Sequence, residues 1–306
     1  MSRSTQEPRT DSNRPHKRDA DHARMGERVF PTSREDAERA EAGPTDHPAY
    51  RLAFQDPDFL TREELRPIRL QLELLKPELL QAEHGVESTF VIYGSARIPE
   101  PAAAEALQAA ARTPEEKRKA DSLAAKARYY DEARRLAQIV SSLPQTGDGK
   151  RNFVVVSGGG PSIMEAANRG AHDVGQESVA LNIVLPFEQA PNPYVTPELS
   201  FNFHYFAIRK MHFLIRARAV AAFPGGFGTM DELFETLTLI QTGKIKRMPV
   251  LLFGETFWRR IVDFEALADE GTISHKDLEL FNFVETAEEG WQIVADFYAI
   301  EEGDKV

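Results

Sequence analysis

The stretch Ala219-Val220-Ala221-Ala222-Phe223-Pro224-Gly225-Gly226-Phe227-Gly228-Thr229 decides the fold. An unbroken apolar run gives way at once to a glycine-rich turn and then to a helix-like segment. That is the order expected where a strand covered on both faces hands over to a helix. The same order recurs twice upstream of it. Phe90-Val91-Ile92-Tyr93 runs into Gly94-Ser95-Ala96-Arg97, and Phe153-Val154-Val155-Val156 runs into Ser157-Gly158-Gly159-Gly160-Pro161. Val179 to Val184 and Pro249 to Phe253 are further strand-like runs. Helices are expected after Gly160, over Ala207 to Ala217, after Gly228, from Trp258 to Leu267 and from Glu288 to Tyr298. One long helix is expected between the first two strands, announced by the capping box Thr113-Pro114-Glu115-Glu116. Alternating strands and helices predict an α/β fold: a Rossmann-like, doubly wound parallel sheet with helices on both faces.

Outside this region the character changes. Residues 1–48 carry nine Lys and Arg against ten Asp and Glu with no sustained apolar period, and are expected to be a disordered charged tail. Residues 49–85 read as a helical extension, because Leu65, Ile68, Leu72, Leu75 and Leu79 recur at steps of three and four. Pro67 falls in its first turn, and Pro77 is expected to end or kink it. Its apolar stripe needs cover, from the core or from a second subunit. The α/β domain is placed at 86–300.

Composition narrows the function classes. The chain has 306 residues, enough for a substantial core, and no cysteine, which excludes disulfides, thiolate nucleophiles and iron–sulfur clusters. A net charge of −11 offers no general attraction to nucleic acid or anionic membranes, so an anionic ligand must be drawn by a local site. No apolar run is long enough to span a bilayer and the first residues are not those of a secretory leader, so a cytoplasmic location is expected. The histidines lack metal-ligand spacing, and no metal or other cofactor is expected. Neither G-x-G-x-x-G, nor a P-loop, nor G-x-S-x-G is present, which disfavours dinucleotide dehydrogenases, P-loop NTPases and α/β-hydrolases.

The three strand-to-turn junctions remain. In an open parallel sheet the carboxyl ends of the strands line the ligand crevice, and glycines there let backbone N–H groups approach a phosphate. Gly94 and Ser95, Gly158, Gly159 and Gly160, and Gly225, Gly226, Gly228 and Thr229 are therefore the candidate phosphate and nucleotide contacts. Each turn taken alone is equally compatible with a tight structural turn. Asp231 and Glu232 are expected in the opening turn of the next helix, where its dipole would favour the ionised carboxylate or be merely complemented by it. Arg209, His212 and Arg216 share a helical face, which reads either as solvated or as cations near the phosphate. Phe203, His204 and Tyr205 could stack on a purine or pack in the core. The proline-rich connection from Pro186 to Pro197 is a surface loop or a lid over the site.

Pro224-Gly225-Gly226-Phe227-Gly228-Thr229-Met230-Asp231-Glu232, with Arg209-Lys210 fifteen residues before Pro224, resembles the signature of the Lonely Guy (LOG) family, P-G-G-x-G-T-x-x-E after an Arg-Lys pair. The Gly94-Ser95 turn, and the Gly158–Gly160 turn followed by Met164-Glu165-Ala166-Ala167-Asn168, fit its layout too, so the resemblance covers roughly 86–298. It implies a Rossmann-like, at least dimeric phosphoribohydrolase that cleaves the N-glycosidic bond of purine nucleoside 5'-monophosphates, AMP or cytokinin nucleotides. It also implies that Arg209 and Glu232 are the catalytic pair and that Gly225, Gly226, Gly228 and Thr229 bind the phosphate. Many such proteins once carried a lysine decarboxylase label, yet nothing here independently indicates a pyridoxal phosphate site. The chain departs from short plant-like members in having Phe206-Ala207-Ile208 where they show Met-His-x before the Arg-Lys pair, which points to a different base pocket. The alternative reading is a non-catalytic nucleotide or cofactor carrier, or a sensor, on the same fold. The expected partners are a small-molecule nucleotide and a second copy of the chain, with neither nucleic acid nor membrane.

Overall fold

The computed structural model describes residues 30–40, 47–186, 190–301 and 303–306. The chain divides into two compact units, 1–69 and 70–306. Most of the expected tail lies outside the described residues. Within it, Ser33–Ala40 forms a two-turn helix, α1, with no buried residue, and the Thr32 hydroxyl accepts from the Glu35 amide at its start. Between residues 47 and 65 the described elements are short helical turns. One of them, Pro57–Leu60, is capped by Asp56, which accepts from the Phe59 amide.

The second unit is built on a seven-stranded, wholly parallel sheet: β1 Thr89–Tyr93, β2 Val154–Ser157, β3 Val179–Ile183, β4 Ser200–Phe203, β5 Ala217–Ala222, β6 Val250–Phe253 and β7 Asn282–Val284. The order across the sheet is β4-β3-β2-β1-β5-β6-β7. The chain winds outward from β1 in one direction, then crosses back to β5 and winds outward in the other. The topological switch point therefore lies between β1 and β5, where a doubly wound sheet opens its ligand crevice. One core cluster contains Phe90, Ile92, Leu136, Val155, Phe223 and Phe253, and the other contains Val91, Leu181, Phe213, Val220, Leu252 and Trp258. Alternating residues of the central strands β1, β2, β5 and β6 feed the two clusters in turn, as two covered faces require.

The five central strands fall where the apolar runs predicted them. Phe153 is excluded from β2 because its φ is +55°. The edge strands β4 and β7 were not expected. The single helix anticipated between β1 and β2 is three: α3 Pro101–Ala110, α4 Pro114–Ala124, which starts at the predicted capping box, and α5 Arg128–Ser141. Pro114 and the Thr113 cap make it impossible for α3 to run on. Likewise the segment from Trp258 to Leu267 is two helices, α9 Glu255–Ile261 and α10 Phe264–Asp269, with Asp263 capping the second. The remaining helices are α6 Ile163–Asp173, α7 Phe206–Ile215, α8 Phe227–Gln241 and α11 Ala287–Tyr298.

Of the two outcomes expected at Pro77, an end is ruled out: helix α2, Arg66–Glu83, runs through it. A proline within a helix leaves the carbonyl four residues earlier without its N–H donor. Here that carbonyl belongs to Glu73, and it lies 3.1 Å from Nε2 of the buried His212 on α7. The Glu73 carboxylate accepts from the backbone N–H groups of His204 and Tyr205, just before α7 begins. The gap that Pro77 makes in α2 is thus used to fix the helix that carries Arg209.

Candidate active site

A cavity of about 920 Å3 opens at the carboxyl ends of the strands around the switch point. Its walls include Gly94, Ser95 and Arg97 from the turn after β1, Gly158 from the turn after β2, Met164 from the start of α6, Asn182 from β3, Phe206 and Arg209 from α7, and the whole of Gly225–Glu232. Two main-chain hydrogen bonds join the three turns: the Ser95 amide donates to Pro224 O at 3.2 Å, and the Ile163 amide donates to Ser95 O at 3.3 Å. Gly94 is required by close approach, since a Cβ there would sit 2.3 Å from Cγ2 of Ile163.

The third turn leads directly into α8. Met230 N donates to Gly226 O at 3.0 Å, and no side chain caps the helix. The amides of Phe227, Gly228 and Thr229 precede that first helical bond, so they have no acceptor within the helix. They lie on the wall of the cavity, together with the largely buried Thr229. The expected Gly158, Gly159 and Gly160 separate. Gly158 lines the cavity, whereas Gly159 and Gly160 are set back and offer their carbonyls to Nδ2 of buried Asn192. Asn192 also donates to Oδ1 of Asn168, which accepts from Ser157 Oγ, and that same Oγ accepts from the Gly159 amide. Asn168 completes its bonding through Nδ2 to Ser178 Oγ. Asn168 and Asn192 therefore hold the second turn, a role the sequence reading missed. The Pro186–Pro197 connection also bears on the site, because Ala190 and Pro191 line the cavity. Residues 187–189 fall outside the described residues.

Arg209 and Glu232 both reach the cavity. Arg209 donates from Nε to Leu181 O at 2.7 Å and lies over the Phe213 ring, its guanidinium carbon 5.1 Å from the centroid. Glu232 does not stand in the first turn of its helix as expected. Helix α8 begins at Phe227, so Glu232 is its sixth residue, beyond the turn where the dipole acts. Only 7% of Glu232 is exposed, and its Oε2 has no hydrogen-bond partner. Burial therefore raises its pKa, against the opposing charges of Lys210 and Arg209, while Glu235 and Asp231 raise it further. The expectation that the helix terminus keeps this group ionised is corrected accordingly: nearby cations do that work, and incompletely.

The face shared by Arg209, His212 and Arg216 is divided rather than solvated. Arg216 pairs with Glu78 of α2 at 3.0 Å, and His212 is enclosed between Glu73 and Glu78, where burial lowers its pKa. Only Arg209 faces the cavity. Of the aromatics before α7, Phe203 is core, tilted against His212, and none of the three lines the cavity; Phe206, the first residue of α7, does. Among the described residues there is no cluster of three or more His, Cys, Asp or Glu that could hold a metal ion, and no helix long and apolar enough to cross a membrane.

Fold and site together define a doubly wound α/β protein whose switch-point crevice holds an uncapped helix N-terminus, an arginine and a buried carboxylate. Residues 164–294 match the family described as "Possible lysine decarboxylase". The chain is similar to the cytokinin riboside 5'-monophosphate phosphoribohydrolase LOG2 of Arabidopsis thaliana, with 31% identity over 155 residues, 49% of this chain and 67% of that protein. Its likeness to LOG3 of the same plant is 27% over 143 residues, 45% of this chain and 65% of the relative. The chain thus spans about two thirds of the length of these curated relatives. Among solved structures, the structural-genomics target TM1055 is 21% identical, covers 68% of this chain and 99% of its own, and superposes with a TM-score of 0.44. The chain belongs to the Lonely Guy family.

Proposed function

We propose that the protein hydrolyses the N-glycosidic bond of purine nucleoside 5'-monophosphates, AMP or a cytokinin nucleotide, giving the free base and ribose 5-phosphate. The observation that carries this reading is Glu232: a carboxylate with a buried, unbonded oxygen on the wall of a cavity that also presents Arg209 and the free amides of α8. Cleavage of a ribose–base bond passes through an oxocarbenium-like state. An ionised carboxylate beside it stabilises the developing positive charge and orients the water that attacks the anomeric carbon. In that step the new C–O bond forms from water, the C–N electron pair leaves with the base, and the proton released by water reaches the base through the site or solvent. Gly225, Gly226, Gly228 and Thr229 take the 5'-phosphate, with Gly94 and Ser95 beside them; Gly158 lines the same cavity, and Gly159 and Gly160 support it from behind. Arg209, always charged, positions the sugar phosphate or the departing base. Holding the phosphate fixes the ribose against Glu232, so binding energy remote from the reacting bond is used at it.

Residues 86–300 are assigned to this activity, 49–85 to the helical extension, and 1–48 to a charged tail with no catalytic part. The test is incubation of the purified chain with AMP, with isopentenyladenosine monophosphate and with adenosine, followed by chromatography for released base. Release from the monophosphates but not from adenosine is the expected result, and their relative rates rank the substrates. Tight binding without release from any of them would overturn the proposal in favour of a carrier or sensor. Glu232→Gln should abolish release while leaving nucleotide affinity in place.

A further inference from the structure

Beside Glu232 stands a cation that the family signature includes without a role in the reading above. Lys210 is the residue after Arg209 on α7, and its side chain is only 14% exposed. Its ammonium meets three carboxylates of α8: Asp231 at 2.6 Å, Glu235 at 2.9 Å and Glu232 at 3.4 Å. Burial alone would lower the lysine's pKa, but the hydrogen bonds and charges of these carboxylates outweigh it and raise it, so the amine stays protonated. Asp231 and Glu235 lie four residues apart on one face of α8, and Glu232 lies between them.

Resting on the reading of Glu232 as the working carboxylate, we infer that Lys210 is its positioning residue: it fixes the carboxylate from behind and holds it ionised, while Asp231 and Glu235 fix the lysine. The geometry explains why the two outer carboxylates are present. A single lysine paired with Glu232 alone could swing away, or close to full hydrogen-bonding contact and satisfy the oxygen that the cavity needs. Two further anchors hold the ammonium 3.4 Å from Glu232, near enough for Coulombic support and without a hydrogen bond to that oxygen. The distance matters in a buried setting, where charges a few ångströms apart interact far more strongly than in water.

The other groups that face Glu232 are accounted for. Arg209, also from α7, acts with Lys210 to favour the ionised form. Asp231 and Glu235, on Glu232's own helix, act against it. Tyr93, at the end of β1, is buried with its hydroxyl near Glu232, and burial raises its pKa well above the ordinary tyrosine range, so it is neutral throughout the working pH range. Lys210 is therefore the nearest adjustable charge, and replacing it should move the protonation of Glu232 in a known direction.

The experiment compares the full-length wild type with Lys210→Met, Lys210→Arg and Glu235→Gln. The first readout is the pH dependence of kcat/KM for base release from AMP. Loss of Lys210 removes a charge that favours ionised Glu232, so the acid limb of the Lys210→Met profile should move to higher pH, with a several-fold loss of rate on the acid side. Lys210→Arg should restore the limb. Glu235→Gln removes a like charge and should move it to lower pH. A merely structural tie between α7 and α8 would lower the rate equally at every pH in both neutralising variants. The second readout needs no turnover: the 13C carboxyl resonance of Glu232, assigned by its disappearance in Glu232→Gln, titrated in each variant. If the wild type releases no base, the phosphoribohydrolase reading fails and the titration still decides the role of Lys210. If Lys210→Met does not fold, Glu235→Gln carries the same test with the opposite sign. Acid limbs and titrations that coincide in all variants would overturn the inference.

Discussion

The three glycines of the Gly225-Gly226-Phe227-Gly228 turn should respond differently to alanine, and the difference separates structural need from ligand contact. At Gly225 a Cβ would lie 2.1 Å from Oγ1 and 2.5 Å from Cβ of Thr229. A rotamer change cannot relieve the second contact, because that carbon is fixed to the backbone of α8. To reach ordinary contact at 3.4 Å, the oxygen would have to retreat by about 1.3 Å, in a residue that is almost wholly buried. Over-packing of this kind costs about 1–3 kcal/mol. For a unit of this size each kcal/mol lowers Tm by roughly 2–4 °C, so a mid-range cost of about 2 kcal/mol gives a loss of about 4–8 °C. At Gly226 and Gly228 a Cβ meets nothing within 4 Å, and neither residue has positive φ. Gly226→Ala should melt like the wild type. Gly228→Ala, in the first turn of α8, should match or exceed it, since glycine within a helix is up to about 1 kcal/mol poorer than alanine.

If the turn cradles a phosphate, the space left open at Gly226 and Gly228 is where the ligand comes closest. Both substitutions should then weaken AMP by at least about tenfold, the equivalent of one charge-assisted hydrogen bond at about 1.5 kcal/mol or more. The measurements are thermal melts by circular dichroism and AMP titration by calorimetry on the same three variants. Wild-type affinity in stable Gly226→Ala and Gly228→Ala would reduce the turn to a structural device. A Gly225→Ala variant that melts with the wild type would refute the steric argument itself.

Other outcomes follow from the same structure. Glu232 is a carboxyl whose folded-state pKa is raised, so its contribution to stability is greatest at low pH, where it is protonated, and falls as pH rises through the raised value. Glu232→Gln should therefore melt above the wild type at neutral pH, with the gap closing on acidification, and a variant less stable at neutral pH would contradict this. Asn168→Ala leaves Ser157, Ser178 and Asn192 short of partners and should cost about 1–3 kcal/mol by urea denaturation. It should also weaken AMP binding, because the turn it holds lines the cavity; unchanged stability would remove Asn168 from the network. We propose that the exposed Leu72 and Leu75 of α2, both 52% accessible, belong to a surface covered by a second copy of the chain. Replacing both by Glu should lower the mass seen by light scattering, and an unchanged mass would place any interface elsewhere.

What was legible in the sequence follows the range of the forces involved. Central strands buried on both faces announce themselves as apolar runs, so β1, β2, β3, β5 and β6 were found. β4 is an edge strand in which Phe201 and Phe203 alternate with Ser200 and Asn202, a period-two pattern that was there to be read but is short. β7 has only three residues. The capping box marks α4, whereas α3 carries only Pro101 at its first position and no side-chain cap, a weaker sign. At the site, motif spacing located Arg209 and Glu232. The state of Glu232 was beyond it, because burial and the reach of Lys210 are set by how α7 crosses α8. The four-residue spacing of Asp231 and Glu235 was the available signal for Lys210. No local pattern announces that His212 receives the carbonyl which Pro77 releases in α2.

Strain and order are distributed unequally around this cavity. Behind the second turn Ser157, Asn168 and Asn192 form a connected network, and the Ser95 amide and carbonyl tie three turns together. At the other end Oε2 of Glu232 is buried without a hydrogen bond, the Lys210 ammonium standing 3.4 Å away. An unsatisfied buried polar atom costs about 1–3 kcal/mol, more if charged, and would be removed by almost any substitution to an apolar residue. On the proposed reading of Glu232, that cost is what keeps a carboxylate available to the ribose as positive charge develops on it. The framework supplies the stability that the carboxylate does not. The stabilisation expected of Glu232→Gln and its expected loss of turnover are thus two measurements of one quantity, the cost of holding a buried charge ready for a partner that is only transiently present.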